Sequence, residues 1–241
     1  RVIRKHSDNI FQIEALLFGA AGMLEEKLFR EAINDDYFRA LIKEFRILGT
    51  KYCIQPLHGW IWKFSRLRPA NFPTIRISQL AAMLSVAGGL FRRMLEERDI
   101  KVIKWLLEVP ASDYWNEHFV FGKKVRHATR RTGDQATDIL IINALVPVLF
   151  VYGKSHGRQD ICDNALSLLE ETAPEKNLII SEWGKAGFSG SSAFDTQALL
   201  QLRNEYCSRR RCLDCRIGNE LIQKGRKLKD EDEVMMEPEL L

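Results

Sequence analysis

Three of the chain's five cysteines, Cys207, Cys212 and Cys215, fall within nine residues of the stretch YCSRRRCLDCRIG (206–218), with Arg209, Arg210, Arg211 and Arg216 among them. Thiolates spaced like Cys212 and Cys215 can meet at a turn or a helix start. A tetrahedral zinc or iron–sulfur site takes four such ligands, with zinc–sulfur bonds of about 2.3 Å. The neighbouring guanidinium groups favour the thiolate form. Cys207 can fold back onto the pair if SRRR is a loop. The fourth ligand is missing from the segment and would have to be Cys53, Cys162, His118 or His127. The competing reading is three reduced thiols packed at a helix–helix corner, with Leu213 and Ile217 against the preceding helix. The sequence favours that second reading, so no zinc or iron–sulfur cofactor is expected ahead of one.

Basic residues interleaved with aromatics are the second chemical signal. Arg66, Arg68 and Arg76 accompany Trp60, Trp62, Phe64 and Phe72. Arg130 and Arg131 close the loop KKVRHATRRTG (123–133), and Arg209, Arg210 and Arg211 sit in the cysteine window. Guanidinium groups neutralise phosphates and aromatic rings stack on bases, so these segments are candidates for contact with DNA or RNA. The plainer reading is a solvated basic surface.

Catalytic constellations are poor. HExxH, GxSxG and paired metal-binding carboxylates do not occur, and GKAGFSGSS (184–192) lacks the Lys-Ser/Thr ending of a phosphate-binding loop. The five histidines are scattered, and His118, set among aromatics, reads as a satisfied structural residue. No catalytic residue is named, and the chain reads as a non-enzyme.

With 241 residues, 46% of them hydrophobic, the chain can bury a substantial core. Net charge is only +4, but it is unevenly spread. Residues 203–229 hold nine Lys/Arg against three Asp/Glu, and residues 230–241 hold six acids and no base. The tail is expected to be disordered and to screen the basic segment. An odd, uneven cysteine count argues against a secreted disulfide framework and for a cytoplasmic location. The apolar run 139–152, interrupted by Asn143 and Pro147, reads as a buried helix and not a membrane span. A charged start without a cleavage pattern argues against a signal peptide, and the first residue, Arg1, suggests a fragment or processed chain.

Apolar residues recur at three- and four-residue intervals along most of the chain, and no stretch sustains strand-like alternation. The expected fold is all-α: an irregular bundle of about ten helices with long aromatic and proline-rich loops, forming one helical domain over 1–229 ahead of the acidic tail. Ser7 or Asp8 should cap a first helix reaching about Gly22, and Glu14 on its apolar face needs a capping role or a salt bridge. Asn34 or Asp35 should cap a second helix through Tyr52. Helices should follow over 77–87, 90–97, 100–107, 134–152, 159–172, 175–183, 192–207 and 212–224, with Pro147 kinking the central one. The segment 55–76 holds three prolines and four large aromatics, which suggests a loop strapped onto the core.

The stretches EALLFGAAGML (14–24), WKFSRLRPANFPTIRISQLA (62–81), SDYWNEHFVFG (112–122), INALVPVLFVYG (142–153) and DTQALLQLRNEYCSRRRCLDCRIG (195–218) together span nearly the whole chain. In them the chain resembles the C-terminal helical part of a bacterial family classed as a domain of unknown function. Full-length members of that family resemble restriction-endonuclease-like proteins in their N-terminal part. The resemblance therefore implies that nuclease-like chemistry would lie on a separate N-terminal domain. The expected function is then a non-catalytic accessory helical domain contacting nucleic acid through its basic segments. The alternative is a protein-interaction or scaffold module with no nucleic-acid role.

Overall fold

The computed structural model describes residues 2–86 and 90–224. The Gly88–Gly89 break and the acidic tail lie outside the described residues. The chain is divided into two compact units, Arg1–Leu140 and Ile141–Leu241, where the sequence suggests one helical domain. The architecture is all-α: ten α-helices, a further helical stretch over 216–224 and one two-stranded hairpin among the described residues.

In the first unit, α1 (Ile10–Ala20) is the central helix, and α2 (Asp36–Tyr52) and α3 (Pro73–Val86) both pack against it. The cap of α1 is Asn9, not Ser7 or Asp8: its side chain accepts from the Gln12 amide at 3.1 Å. Ser7 is used in a local turn instead, its hydroxyl donating to the Arg4 carbonyl. Asp35 caps α2 by accepting from the Phe38 amide at 2.8 Å, a contact of the kind worth about 1 kcal/mol. The α3 helix begins at Pro73, four residues earlier than the sequence suggests. A proline in the first turn loses no hydrogen bond, and its ring presets the helical φ. Short helices α4 (Leu90–Glu96) and α5 (Ile100–Leu107) follow, the second capped by Asp99.

Residues 112–124 hold the main departure from the sequence reading. A 3₁₀ turn at Asp113–Asn116 leads into strand β1 (His118–Val120), which pairs antiparallel with β2 (Lys123–Lys124). Three residues are too few for alternation to be legible. The hairpin turn places Gly122 at φ +75°, where a β-carbon would stand 2.5 Å from the Glu31 carbonyl oxygen. Its neighbour Phe121 joins Phe18, Phe29, Phe38 and Trp115 in the buried cluster of this unit. Ring centroids within that cluster lie 4.8–6.2 Å apart, mostly edge to face, the arrangement that aromatic quadrupoles prefer. Helix α6 (Asp134–Leu140) ends the unit, tied to α5 by a Lys104–Asp138 bridge of 2.6 Å.

The second unit opens on a π-helical turn, Ile141–Leu145, followed by α7 (Val146–Ser155). Pro147 at the start of α7 cannot donate to the preceding turn, and the wider π turn stands directly before it. The helical run Asp134–Ser155, 22 residues with mean hydropathy 1.8, is longer than the interrupted apolar stretch seen in sequence. By length and composition alone it could cross a membrane. Of its apolar window 39% is buried: Ile141, Ile142, Leu145, Val146 and Leu149 are buried, while Ile139, Val148 and Val151 are exposed.

Helix α8 (Gln159–Glu171) lies so close to α7 that a β-carbon on Gly153 would meet the Cys162 sulfur at 2.7 Å. Helix α9 (Leu178–Lys185) is capped by Asn177, and α10 (Ala193–Leu202) by Ser192. A π turn at Arg203–Cys207 and a reversal at Arg210, φ +53°, lead to a final helical stretch over 216–224.

Candidate functional site

One candidate site in the first unit is a cleft built around the loop that follows α2. The last carbonyls of α1 have no partner within the helix and must find donors elsewhere. The loop supplies them: the Leu57 amide donates to the Ala20 carbonyl at 2.8 Å, and the Trp62 indole N–H donates to the Ala21 carbonyl at 2.7 Å. Gly22, at φ +69°, leaves room for this approach, since a β-carbon there would lie 1.9 Å from the Leu57 oxygen. The aromatic, proline-containing segment is thus strapped onto the core, as its composition suggests.

With both ends of this strap anchored, Trp60 is left 76% exposed, its indole stacked beside the His58 ring. Below it opens a cleft of ≈ 530 Å³. Met23, Phe29 and Phe121 form its buried floor, while Trp62 and Phe64 contribute walls. Lys27, Arg30 and Lys123 stand on its exposed rim with a single acid, Glu31. No carboxylate among the described residues pairs with those three bases. An apolar floor with cations at the rim suits a ligand combining a flat apolar body with negative charge.

The sequence-derived arginines are placed unevenly. Arg66, at φ +64°, and Arg68 are exposed on the same loop as Trp60. Arg76 is half-buried on α3 and donates to Gln79 Oε1 at 2.9 Å and Asn71 Oδ1 at 2.6 Å. Arg130 lies 4.1 Å over the Phe119 ring and donates to the Trp115 carbonyl, a structural engagement. Burial pushes the pKa of both Arg76 and Arg130 down. Arg131 bonds the Glu108 carbonyl. In the second unit, Arg209 pairs with Glu205 and Arg211 with Asp214, both at 3.0 Å, while Arg210 is exposed. Lys27 and Arg30 escape sequence reasoning because two bases in a short turn are unremarkable until Trp60 is brought over them.

The cysteine window does not assemble a metal-ligating set. No three His, Cys, Asp or Glu side chains among the described residues are placed to hold a metal ion, and this includes Cys207, Cys212 and Cys215. Cys207 and Cys212 are exposed and Cys215 is buried. Leu213 and Ile217 are 72% and 48% exposed, so the expected packing of those two side chains against the preceding helix does not occur. Arg210 at this corner is left-handed, φ +53°, and of the side chains around it Cys212 and Leu213 are exposed while Cys215 is buried.

The most deeply buried carboxylate among the described residues is Glu14, 1% exposed. Its expected cap or salt bridge is replaced by neutral donors. Tyr37 donates to Oε2, Ser78 to Oε1 at 2.5 Å, Ser112 to both oxygens at 2.9 and 3.1 Å, and the Trp115 indole to Oε1 at 3.2 Å. Burial raises the Glu14 pKa, and these hydrogen bonds offset the rise only in part. Burial and the Glu14 charge likewise push the Tyr37 phenol up.

The stretch SDYWNEHFVFG is the other half of this network. Tyr114 stacks between Tyr37 and His118, with centroids 4.2 and 3.9 Å away, and donates to Asp35 Oδ2 at 2.9 Å. His118 is buried with Nδ1 2.8 Å from the Tyr114 carbonyl, the satisfied structural role expected of it. Glu14 does not line the Trp60 cleft; its network joins α1, α2, α3 and the turn at 112–116.

The fold and its surface define a two-unit helical protein whose accessible chemistry is an aromatic cleft rimmed by bases. The chain belongs to the family described as protein of unknown function DUF2851, whose match covers residues 1–178. Comparison with curated proteins, and with solved structures, finds no match.

Proposed function

We propose that this protein is a non-catalytic helical module that contacts nucleic acid, accessory to nuclease-like chemistry carried on another domain. One observation carries the reading: Trp60, 76% exposed, stands over a cleft rimmed by Lys27, Arg30 and Lys123. An exposed indole offers a base a stacking surface worth about 1–3 kcal/mol, and the rim bases neutralise flanking phosphates. Arg66 and Arg68, exposed on the same loop, extend the positive surface.

The test is a fluorescence-anisotropy titration with short labelled DNA and RNA from 50 to 200 mM salt. Three phosphate contacts give a log–log salt slope of about −2 on single strands or nearly −3 on duplex. Trp60→Ala should weaken binding about tenfold with little change in slope. Replacing Lys27 and Arg30 together by alanine should flatten the slope by about 1.5. Absence of binding at the lowest salt overturns the reading. An exposed tryptophan over an apolar floor also suits a protein partner. A partner retained after nuclease treatment and at high salt favours that second reading.

A further inference from the structure

A separate cleft of ≈ 400 Å³ opens between α3 and α6, both in the first unit. One wall is apolar, formed by Leu80, Met83, Ala136 and Ile139. The other carries Arg76 and Thr132. Arg76 is a partly desolvated cation whose hydrogen-bond partners, Gln79 and Asn71, are both neutral. Desolvation lowers its pKa, and no carboxylate among the described residues forms an ion pair with it. Gln79 cannot turn away, since its amide donates to the Arg130 carbonyl at 3.1 Å. Thr132 is 3% exposed, and its hydroxyl has no hydrogen-bond partner. A half-buried cation without an ion pair among the described residues and a buried hydroxyl without a partner are each costly, and they border the same cavity.

We propose that this cleft is a binding site for a small monocarboxylate with an apolar body, such as a medium-chain or aromatic acid. Two of the five guanidinium hydrogens of Arg76 serve Gln79 and Asn71, which leaves three for a ligand. A carboxylate can take two of them, and its single charge matches the one cation. A phosphate dianion would bring an unmatched charge into an apolar cavity. Thr132, whose hydroxyl has no partner, lines the same cleft and offers a further donor. Leu80, Met83 and Ile139 then cover the hydrocarbon. The site is distinct from the Trp60 cleft and stands independently of any nucleic-acid role.

The experiment is an NMR titration of the uniformly 15N-labelled full chain with octanoate and, separately, with 1-octanol. Octanoate should shift the amides of residues 71–83 and 132–139 saturably. Octanol should bind those residues about ten- to a hundredfold more weakly, the ratio that one charged hydrogen-bonding contact supports. Arg76→Gln should erase that preference, and Arg76→Lys should keep part of it. Ala136→Trp, which fills the cavity while leaving Arg76 in place, should abolish binding of both probes and serves if Arg76→Gln does not fold. The proposal is overturned if octanol matches octanoate, if no saturable shift occurs at these residues, or if octanoate binds a folded Arg76→Gln or Ala136→Trp variant as it binds the parent.

Discussion

Removing the carboxylate of Glu14 tests the central packing argument most directly. In Glu14→Ala, the donors Tyr37, Ser78, Ser112 and Trp115 lose their common acceptor. The hydroxyls of half-buried Tyr37 and Ser112 can turn to other partners. The indole N–H of Trp115, a donor only, cannot, and Ser78 and Trp115 are both fully buried. Two stranded buried donors cost about 1–3 kcal/mol each, and the truncation also opens a cavity. Relief from burying a carboxylate offsets part of this, leaving a net loss of about 2–4 kcal/mol. Glu14→Gln keeps the shape and one acceptor oxygen, and the surrounding hydroxyls can rotate to accept from its amide. It should cost about 1 kcal/mol or less at neutral pH.

The two variants also differ in pH dependence. Burial raises the folded pKa of Glu14 above its ordinary 4.5. Its contribution to stability is therefore full below the unfolded pKa and is lost as pH rises through the folded value. The Gln variant has no such loss. Its denaturation midpoint should gain on the parent between pH 4.5 and pH 8. Urea unfolding followed by tryptophan fluorescence at both pH values reads all of this. An Ala variant as stable as the Gln variant, or a parent–Gln difference that does not move with pH, would refute the reasoning.

Other outcomes follow from local geometry. Gly122→Ala puts a β-carbon 2.5 Å from the Glu31 carbonyl on a left-handed residue. It should destabilise the chain by at least about 1–2 kcal/mol in the same urea assay, whereas Gly133→Ala, in open space, should not. In native protein, a colorimetric disulfide reagent should titrate Cys53, Cys207 and Cys212 quickly and reach Cys162 and Cys215 only on unfolding, because the first three are exposed and the last two buried. A slow Cys207 or Cys212 would contradict the exposure of those two thiols.

Several features were legible in the residues alone because they depend on neighbours in sequence. Asp35 caps a helix that begins one residue later, and Ile100–Leu107 ends where its apolar spacing ends. Side-chain caps and helical periodicity are satisfied within a few residues, so the all-α class, the long apolar helix and the strap, expected over 55–76 but ending where α3 begins at Pro73, could be read from order and type. The hairpin could not, because a three-residue strand is fixed by what packs on it: Thr74 donates to the Phe119 carbonyl from 45 residues away. Nor could the partners of Glu14, two of which come from 98 and 101 residues along the chain. The sequence showed that a buried carboxylate must be satisfied. Only tertiary structure decided that hydroxyls and an indole do it and not a base. The same holds for both clefts: Lys27, Arg30 and Lys123 become a rim only under Trp60, and Arg76 becomes an unmatched cation only beside Thr132, because charge and burial act through space and not along the chain.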